Sequence, residues 1–393
     1  KALPERDAYF PNSEDLGPDE MRIISCGTGM PSARESQAAS CFLLELGNGD
    51  KFIFDIGSGS MRNIASLMIP YEYLTKIFLS HLHTDHWADL SALWAGGWTS
   101  GRPVPLEVWG PSGATPEMGT AYALDGFMRA FNWDYQTRAF KISPIPGDLT
   151  VHEFDYKGVN EIIYDENGIV IRSIPAIHAG DGPVSYIIEY AGLKLVFGGD
   201  TSPNKWFVEY AKDANFVIHE SFATPQFFVK DYGQPPQLAW RACCEFHTSG
   251  QAFGKIMSEI KPRHAVSYHS FEEAFEGVRD GIRETYFRMR ESGVRHLPVL
   301  DGAQLVGILS DRDLRRPDWV DEAPDLSHEY QLEDHLEVQS LMSRNLVVVH
   351  VYDKIHKATL FEADGATEIA SELAEQNLGC MNGFSTSTIG GNT

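Results

Sequence analysis

The segment Ser80–His86, with the sequence SHLHTDH, holds three histidines and one aspartate within six residues. The apolar run Lys76–Ser80 predicts a β-strand that ends at the first histidine, and Ala88–Trp94 predicts a helix after it. Imidazoles two residues apart on an extended turn can converge on one ion, and Asp85 and His86 then face a neighbouring position. Because neutral imidazole and carboxylate groups suit Zn²⁺ and similar ions, the segment predicts a metal-binding loop.

Four ligand groups are too few for two ions, so further ligands must come from elsewhere in the chain. Three later residues share one context, the loop just past a predicted strand: His178 after Ile169–Ile177, Asp200 after Leu193–Phe197, and His269 after Ala265–Tyr268. Loops at strand ends are where a layered scaffold presents its chemistry. Each residue alone is a weak signal, but three in the same context indicate a shared site.

Alternation of strand and helix patterns predicts the fold class and the domains. Short apolar runs typical of strands recur between Met21 and Tyr268, with helical stretches at residues 112–140 and 251–260. This order predicts an α/β fold, a layered αββα domain over about residues 21–290. Residues 1–20 are polar and predict an N-terminal arm.

Charge separates the last quarter of the chain from the rest. The net charge is −23, and residues 291–393 hold 18 acidic and 7 basic side chains. A domain boundary is therefore expected near residue 290.

The charge also bears on the partners of the protein. An acidic surface repels polyanions, and the longest basic group is Arg312, Arg315 and Arg316, so no nucleic-acid partner is expected. No apolar run approaches 18 residues, so no membrane span is expected either. The chain begins at Lys1, which predicts a periplasmic or secreted protein if a leader was removed and a cytoplasmic one otherwise.

On these motifs the chain resembles the metallo-β-lactamase superfamily, which implies a four-layer αββα sandwich over residues 21–286. The resemblance implies two divalent ions, Zn²⁺ with Mn²⁺ or Fe as alternatives. It assigns the ligands as follows: His81, His83 and His178 to one ion, Asp85, His86 and His269 to the other, and Asp200 as the bridge. Asp55 matches the superfamily's first motif, where it supports the metal loop without binding an ion.

Further motifs resemble the ribonuclease Z and arylsulfatase branch of this superfamily. They are the glycine loop at Cys26–Pro31, the pair His219-Glu220, and the run His247–Ala252. A carboxylate at Asp200, where true β-lactamases have Cys or Ser, favours a binuclear ester or phosphodiester hydrolase. In the expected reaction a hydroxide shared by the two ions attacks the ester. Asp85 could act as general base, His247 as the group that protonates the leaving group, and Glu220 as the residue that orients His247.

Aromatic residues guide the prediction of the substrate. Five tryptophans lie between residues 87 and 133, either as core or as an apolar lid over the metals, and Phe222–Phe246 could close the other side. The ribonuclease Z family holds tRNA with a long basic arm, and the sequence has no such arm. A small-molecule ester is therefore expected, either an aryl sulfate or a phosphodiester, with a lactone or thioester hydrolase as the alternative.

The C-terminal residues 287–393 resemble part of a CBS domain and predict a small α+β appendage. The match lies in Met289–Val299 and Gly307–Asp313 and covers the later half of such a domain. The resemblance implies an adenosine nucleotide bound by Gly307, Ser310 and Asp313. This gives an alternative of another class, a nucleotide-sensing regulatory protein. Val338–Phe361 resembles the opening half of another such domain, and the two halves could pair with each other or across a homodimer.

Overall fold

The structure of the protein is a computed structural model. It describes residues 16–271 and 274, and the backbone of residues 296–301 and 304–310.

The first sheet contains six strands in chain order, β1 to β6. The strands are β1 Met21–Gly27, β2 Cys41–Leu46, β3 Lys51–Phe54, β4 Lys76–Phe78, β5 Leu106–Pro111 and β6 Leu149–Phe154. The pairs from β3 to β6 are parallel, so the carboxyl ends of these strands meet at one edge.

The second sheet contains six more strands in the order β12-β11-β10-β9-β8-β7. They are β7 Glu161–Glu166, β8 Ile169–Pro175, β9 Val184–Tyr190, β10 Leu193–Phe197, β11 Phe216–Glu220 and β12 His264–Tyr268. The strands β10, β11 and β12 are parallel, and β7 to β10 are antiparallel. Parallel pairing again places several strand ends at one edge, because successive strands run the same way.

Aromatic side chains join the inner faces of the two sheets. Phe54 of the first sheet has its ring centroid 5.7 Å from Tyr186 and 5.7 Å from Phe197 of the second. Phe42 lies 5.6 Å from Phe197, and all four side chains are buried. Such rings bury large apolar areas, each contributing about 2–3 kcal/mol relative to an exposed side chain. The two sheets therefore share one apolar core.

Helices cover both outer faces. Within residues 16–271 they are α1 Ser60–Ser66, α2 Thr84–Trp87, α3 Leu90–Thr99, α4 Thr120–Ala130, α5 Asn132–Ala139, α6 Lys205–Tyr210, α7 Pro225–Tyr232, α8 Pro236–Trp240 and α9 Gly250–Ile260. Helices α1, α3 and α4 pack on the first sheet, and α6 and α9 pack on the second. The predicted αββα sandwich is confirmed.

A buried arginine fastens the end of α3. Arg102 is 1% exposed, and its guanidinium donates hydrogen bonds to the carbonyls of Leu93, Trp94, Val104 and Pro146. Its charge is removed from water, so burial lowers its pKa to about 10. The hydrogen bonds offset part of that cost because they give the guanidinium N–H groups acceptors inside the protein.

Some elements were not expected from the sequence. The strand β7 carries Glu161, Asp165 and Glu166, and these charged residues interrupt the apolar pattern from which strands are predicted. Charged residues are common on edge strands, where they discourage pairing with other chains, and β7 is the last strand of its sheet. The helices α6 and α7 begin with side-chain caps, in which Asn204 and Thr224 accept hydrogen bonds from Phe207 N and Phe227 N.

The chain divides into two compact units, Lys1–Arg288 with Trp319–Glu329 and Met289–Asp318 with Tyr330–Thr393. In the second unit, β13 His296–Asp301 and β14 Gln304–Ser310 form an antiparallel pair. The proposed boundaries of an arm at 1–20 and an appendage at 287–393 stay predictions. Among the described residues, no helix has the length and apolar character needed to cross a membrane.

Candidate metal centre

The residues predicted to bind metal come together at one edge of the two sheets. The loop Ser80–His86 follows β4 of the first sheet, and the remaining three ligand residues follow β8, β10 and β12 of the second: His178, Asp200 and His269. Residues that follow different strands in the sequence therefore lie close together in the fold, as their shared position after strands predicted. Metal binding by these residues stays a prediction, which their geometry supports.

The first group of ligand atoms comes from His81, His83 and His178, whose nitrogens lie within 4.8 Å of one another. His178 Nε2 is 3.1 Å from His83 Nδ1. The other ring nitrogen of His178 is 2.7 Å from the carbonyl oxygen of Phe246, which fixes the ring orientation. His81 and His178 are buried and His83 is exposed, so this position opens towards solvent.

The second group consists of Asp85, His86, Asp200 and His269, all buried and within 4.8 Å of one another. His269 Nε2 lies 3.2 Å from Asp85 Oδ2 and 3.1 Å from Asp200 Oδ2. His86 Nε2 lies 3.3 Å from the same Asp200 oxygen. His269 has a left-handed backbone with a φ of 63°, a conformation that is rare for a residue with a side chain.

Asp200 lies between the two groups. Its Oδ2 is 4.0 Å from His81 Nε2 and 3.8 Å from His178 Nε2, and it also faces the second group. Several buried polar atoms here have no hydrogen-bond partner among the described residues: His81 Nε2, Asp85 Oδ1, His86 Nε2 and both carboxylate oxygens of Asp200. Because an unsatisfied buried polar atom is costly, these atoms fit direct coordination of metal ions.

Asp55 supports the metal loop through contacts with Ser80 and His86. Its Oδ1 accepts a hydrogen bond from Ser80 N at 2.7 Å, and its Oδ2 accepts one from Ser80 Oγ at 2.8 Å. Asp55 Oδ2 is also 2.6 Å from His86 Nδ1, which directs Nε2 of that ring into the site. Asp55 is fully buried and has a φ of 56°, so the chain adopts an uncommon backbone conformation to place this carboxylate.

Close backbone packing also shapes the loop. Ile56 N donates to His86 O at 2.7 Å, which brings the end of β3 against α2. Gly57 follows, and a Cβ at this position would lie 1.9 Å from the carbonyl oxygen of Asp85. Only glycine therefore permits this approach.

Glu220 and His247 form a pair beside the ligand groups. His247 Nδ1 is 2.8 Å from Glu220 Oε2 and 3.8 Å from Asp200 Oδ2. The other oxygen of Glu220 accepts a hydrogen bond from Thr201 N at 2.6 Å. Glu220, His247, Asp200 and His269 also satisfy the spacing of a metal-binding group. The sequence predicted that Glu220 orients His247, and their distance supports this role.

The electrostatics divide the imidazoles into two sets. Burial lowers the pKa of His81 and His83, whereas for His86 and His269 burial is outweighed by the nearby Asp200, which raises the pKa. Burial lowers the pKa of His178 and of His247 to about 3. Burial alone would raise the pKa of Asp85, but the nearby rings of His269 and His86, at 3.2 Å and 3.5 Å, outweigh it and hold that pKa below its usual range. Burial, followed by the nearby Asp200, raises the pKa of Glu220. The lone pairs of His81, His83 and His178 are thus available to a metal ion at neutral pH, whereas His86 and His269 would release a proton when an ion binds.

The tryptophans expected either as core or as a lid are mainly core. Trp94, Trp98 and Trp109 are buried, and Trp87 is half-buried with its Nε1 donating to Leu82 O. Trp133 is 77% exposed. The aromatic residue that does touch the site is Phe222, whose ring stacks on His247 at 4.0 Å.

Sequence reasoning missed two further residues of the site, Ser80 and Thr201. Ser80 donates to Asp55, and Thr201 Oγ1 accepts a hydrogen bond from Ile177 N, which ties the His178 loop to the Asp200 loop. Each is directly adjacent to a predicted ligand, and that adjacency was the available signal. In the tail, Gly307 and Ser310 lie on β14, and Asp313 lies outside the described residues.

Family models match two segments of the chain. The model of the metallo-beta-lactamase superfamily matches residues 36–221, and that of the CBS domain matches residues 278–317. The second match includes Gly307 and Ser310. Nucleotide binding by that segment stays a prediction.

Curated relatives carry the name Ribonuclease Z. One from Mycobacterium marinum is 28% identical over 269 residues, covering 67% of this chain and 91% of the relative. Another from Mycobacterium sp. is 29% identical over 236 residues, covering 58% of this chain and 76% of the relative. The prediction of a small-molecule substrate and no nucleic-acid partner is therefore wrong, because these relatives are named as ribonucleases.

Two solved structures are similar to this chain at low sequence identity. The metallo-beta-lactamase fold protein YhfI from Bacillus subtilis has a TM-score of 0.48 at 18% identity, covering 68% of this chain and 92% of that chain. The short form of human tRNase Z has a TM-score of 0.48 at 18% identity, covering 64% and 93%. By the family match and its relatives, this chain carries a metallo-beta-lactamase superfamily domain and is a metal-dependent hydrolase that acts on ester bonds.

Proposed function

We propose that this protein hydrolyses phosphodiester bonds of RNA with two bound divalent ions. The observation that carries the proposal is the position of Asp200, whose Oδ2 faces ligand atoms of both groups at 3.1–4.0 Å. A carboxylate in this position can hold two ions close together, the arrangement typical of phosphodiester hydrolysis. The substrate class is supported by similarity along 91% of a relative named Ribonuclease Z.

The ligand set supports zinc as the metal. Five histidine nitrogens and two carboxylates would hold the ions, with no thiolate among them. Mn²⁺ and Fe are the alternatives, because imidazole and carboxylate also suit these ions. When bound, the ions would lower the pKa of water and polarise the phosphate.

The side chains around the ions would then move the protons. As the water oxygen bonds to phosphorus, Asp85 accepts the proton that the water releases. As the bond from phosphorus to the leaving oxygen breaks, His247 Nε2 donates its proton to that oxygen, and His247 Nδ1 takes up the proton of the Glu220 carboxyl. Burial raises the pKa of Glu220, so its protonated carboxyl donates to Nδ1 of His247 at 2.8 Å, and the neutral imidazole keeps its own proton on Nε2 for the substrate.

The proposal is tested by measuring metal content and cleavage together. Purified protein is assayed on an end-labelled RNA and on the matching DNA, before and after chelation and again after addition of Zn²⁺ or Mn²⁺. We expect about two ions per chain, RNA cleavage that chelation abolishes, and recovery with metal. Asp200→Asn should lose metal and activity, while the exposed Asp125→Asn should keep both. RNA cleavage that persists without metal, or no cleavage of any RNA by the metal-loaded protein, would contradict the proposal.

We infer a second, regulatory function for the tail, which the CBS match at residues 278–317 favours. Gly307, Ser310 and Asp313 would bind an adenosine nucleotide. Calorimetry of the full chain with AMP and ATP tests this, with heat expected for the wild type and loss of that heat in Asp313→Ala. No heat with either nucleotide would contradict the regulatory function and leave the hydrolase proposal intact.

A further inference from the structure

We propose that Phe222 is a positioning residue that fixes the ring plane of His247 for proton donation to the leaving oxygen. This inference rests on the proposed phosphodiester hydrolysis. The Phe222 and His247 ring centroids lie 4.0 Å apart, and their planes differ by 6°. Among the described residues, this is the closest and most nearly parallel ring contact of His247, since its contacts with His178 and His269 lie at 4.7 Å and 5.1 Å.

One hydrogen bond cannot by itself orient an imidazole. The contact between His247 Nδ1 and Glu220 Oε2 fixes one point of the ring, but the ring can still swing about that contact. The terminal torsion of histidine is broad, so the backbone does not restrict this motion strongly. A flat ring stacked at 4.0 Å restricts the swing, because a tilt of the imidazole towards Phe222 would drive it into the Phe222 ring.

Phe222 is itself held firmly enough to act as a support. Its backbone N donates to Thr248 O at 2.8 Å, directly beside His247, and Phe222 forms a bridge with Ser249. The residue is 7% exposed, and its ring stacks on that of Phe228 at 5.6 Å with an interplanar angle of 14°. Backbone pairing therefore joins the loop that carries Phe222 to the loop that carries His247.

The orientation matters because proton donation is directional. The leaving oxygen of an RNA phosphodiester is an alkoxide, which departs only when it receives a proton. An aryl oxide such as p-nitrophenolate departs without one. A misplacement of about 1 Å in a catalytic group can lower the rate about a hundredfold. Loss of the Phe222 stack should therefore slow RNA cleavage and spare cleavage of activated aryl diesters.

The test compares Phe222→Leu, Phe222→Tyr and a matched control on two substrates. The control is Phe253→Leu, because Phe253 is 5% exposed and faces the ring of His219 instead of His247. We expect Phe222→Leu to lower kcat on RNA about tenfold to a hundredfold while kcat on bis-p-nitrophenyl phosphate changes less than about threefold. Phe222→Tyr should retain both rates. Phe253→Leu should affect both substrates equally, and all variants should keep their metal.

A double variant tests whether Phe222 acts through His247. In the His247→Ala background, Phe222→Leu should cause no further loss on RNA, because the group that it positions has been removed. Equal losses on both substrates with metal retained, or additive losses in the double variant, would overturn the inference. If the wild type cleaves aryl diesters but no RNA, the proposed substrate fails separately. The inference is then tested on aryl diesters of rising leaving-group pKa, where Phe222→Leu should steepen the dependence of kcat, and an unchanged slope would overturn it.

Discussion

Replacing Gly57 by alanine should disable the metal loop through one steric contact. The new Cβ would lie 1.9 Å from the carbonyl oxygen of Asp85 and 2.8 Å from the Cβ of Ala39. Carbon–oxygen contacts in proteins fall at about 3.3 Å or more, so the backbone must open by roughly 1.4 Å. The displaced atom belongs to Asp85 and precedes His86, so two predicted ligands of the second ion must move together.

This displacement is large compared with the tolerance of a metal site, in which ligand distances hold to about 0.2 Å. We expect Gly57→Ala to lose the second ion and to reduce the free energy of unfolding of the metal-free protein by about 3 kcal/mol, the upper part of the range for overpacking. Metal content is measured by elemental analysis, and stability by urea unfolding in the presence of chelator.

The matched control is Gly126→Ala on α4, where the nearest atom to a new Cβ is Arg129 Nη2 at 3.8 Å. This change should stabilise the protein by about 0.5–1 kcal/mol, because alanine is the better helix former, and should leave metal content unchanged. If Gly57→Ala binds two ions and unfolds like the wild type, the steric reasoning is wrong.

Three other substitutions probe separate parts of the structure. Asp55→Asn should weaken metal affinity about 10–100-fold, measured by competition with a chelator, and unchanged affinity would remove Asp55 from the support of the loop. Arg102→Met should cost about 1–3 kcal/mol in urea unfolding because the carbonyls of Val104 and Pro146 lose a donor, and no loss of stability would refute this. Burial lowers the pKa of His219 from 6.5 to about 4. Between these two pH values the unfolded chain binds a proton at His219 and the folded chain does not. The free energy of unfolding should therefore fall by about 3 kcal/mol as the pH drops from 6.5 to about 4. His219→Leu should remove this part of the pH dependence in urea unfolding of the metal-loaded protein, and an unchanged slope would exclude His219 as its source.

The sequence identified the fold and the ligand candidates because both depend on local pattern. A strand ends where its apolar run ends, and a histidine or aspartate directly after it is placed at the sheet edge. His178, Asp200 and His269 were found in this way. The close approach of Gly57 to Asp85 gave no comparable signal, because it joins two loops that pass each other in space.

Other features could not be predicted because they depend on tertiary context. Nothing in the sequence around Phe222 indicates that its ring stacks on that of His247, because the fold alone brings the two residues together. The strand β7 was hidden by charges that suit an edge. The substrate prediction failed because net charge describes the whole chain, of which residues 291–393 carry 18 acidic side chains, and not the surface around the metal site.

The division of the ligands between the two sheets has a mechanical consequence. The segment His81–His86 follows a strand of the first sheet, whereas His178, Asp200 and His269 follow strands of the second. Bound ions would therefore link the two sheets at one edge of the core. Opening the sandwich at that edge would require breaking metal–ligand bonds, and removing the ions would leave crowded imidazoles and carboxylates with only weak contacts. Metal occupancy should therefore raise the melting temperature. The slowing of hydrogen exchange should be greatest at the ends of β4, β10 and β12.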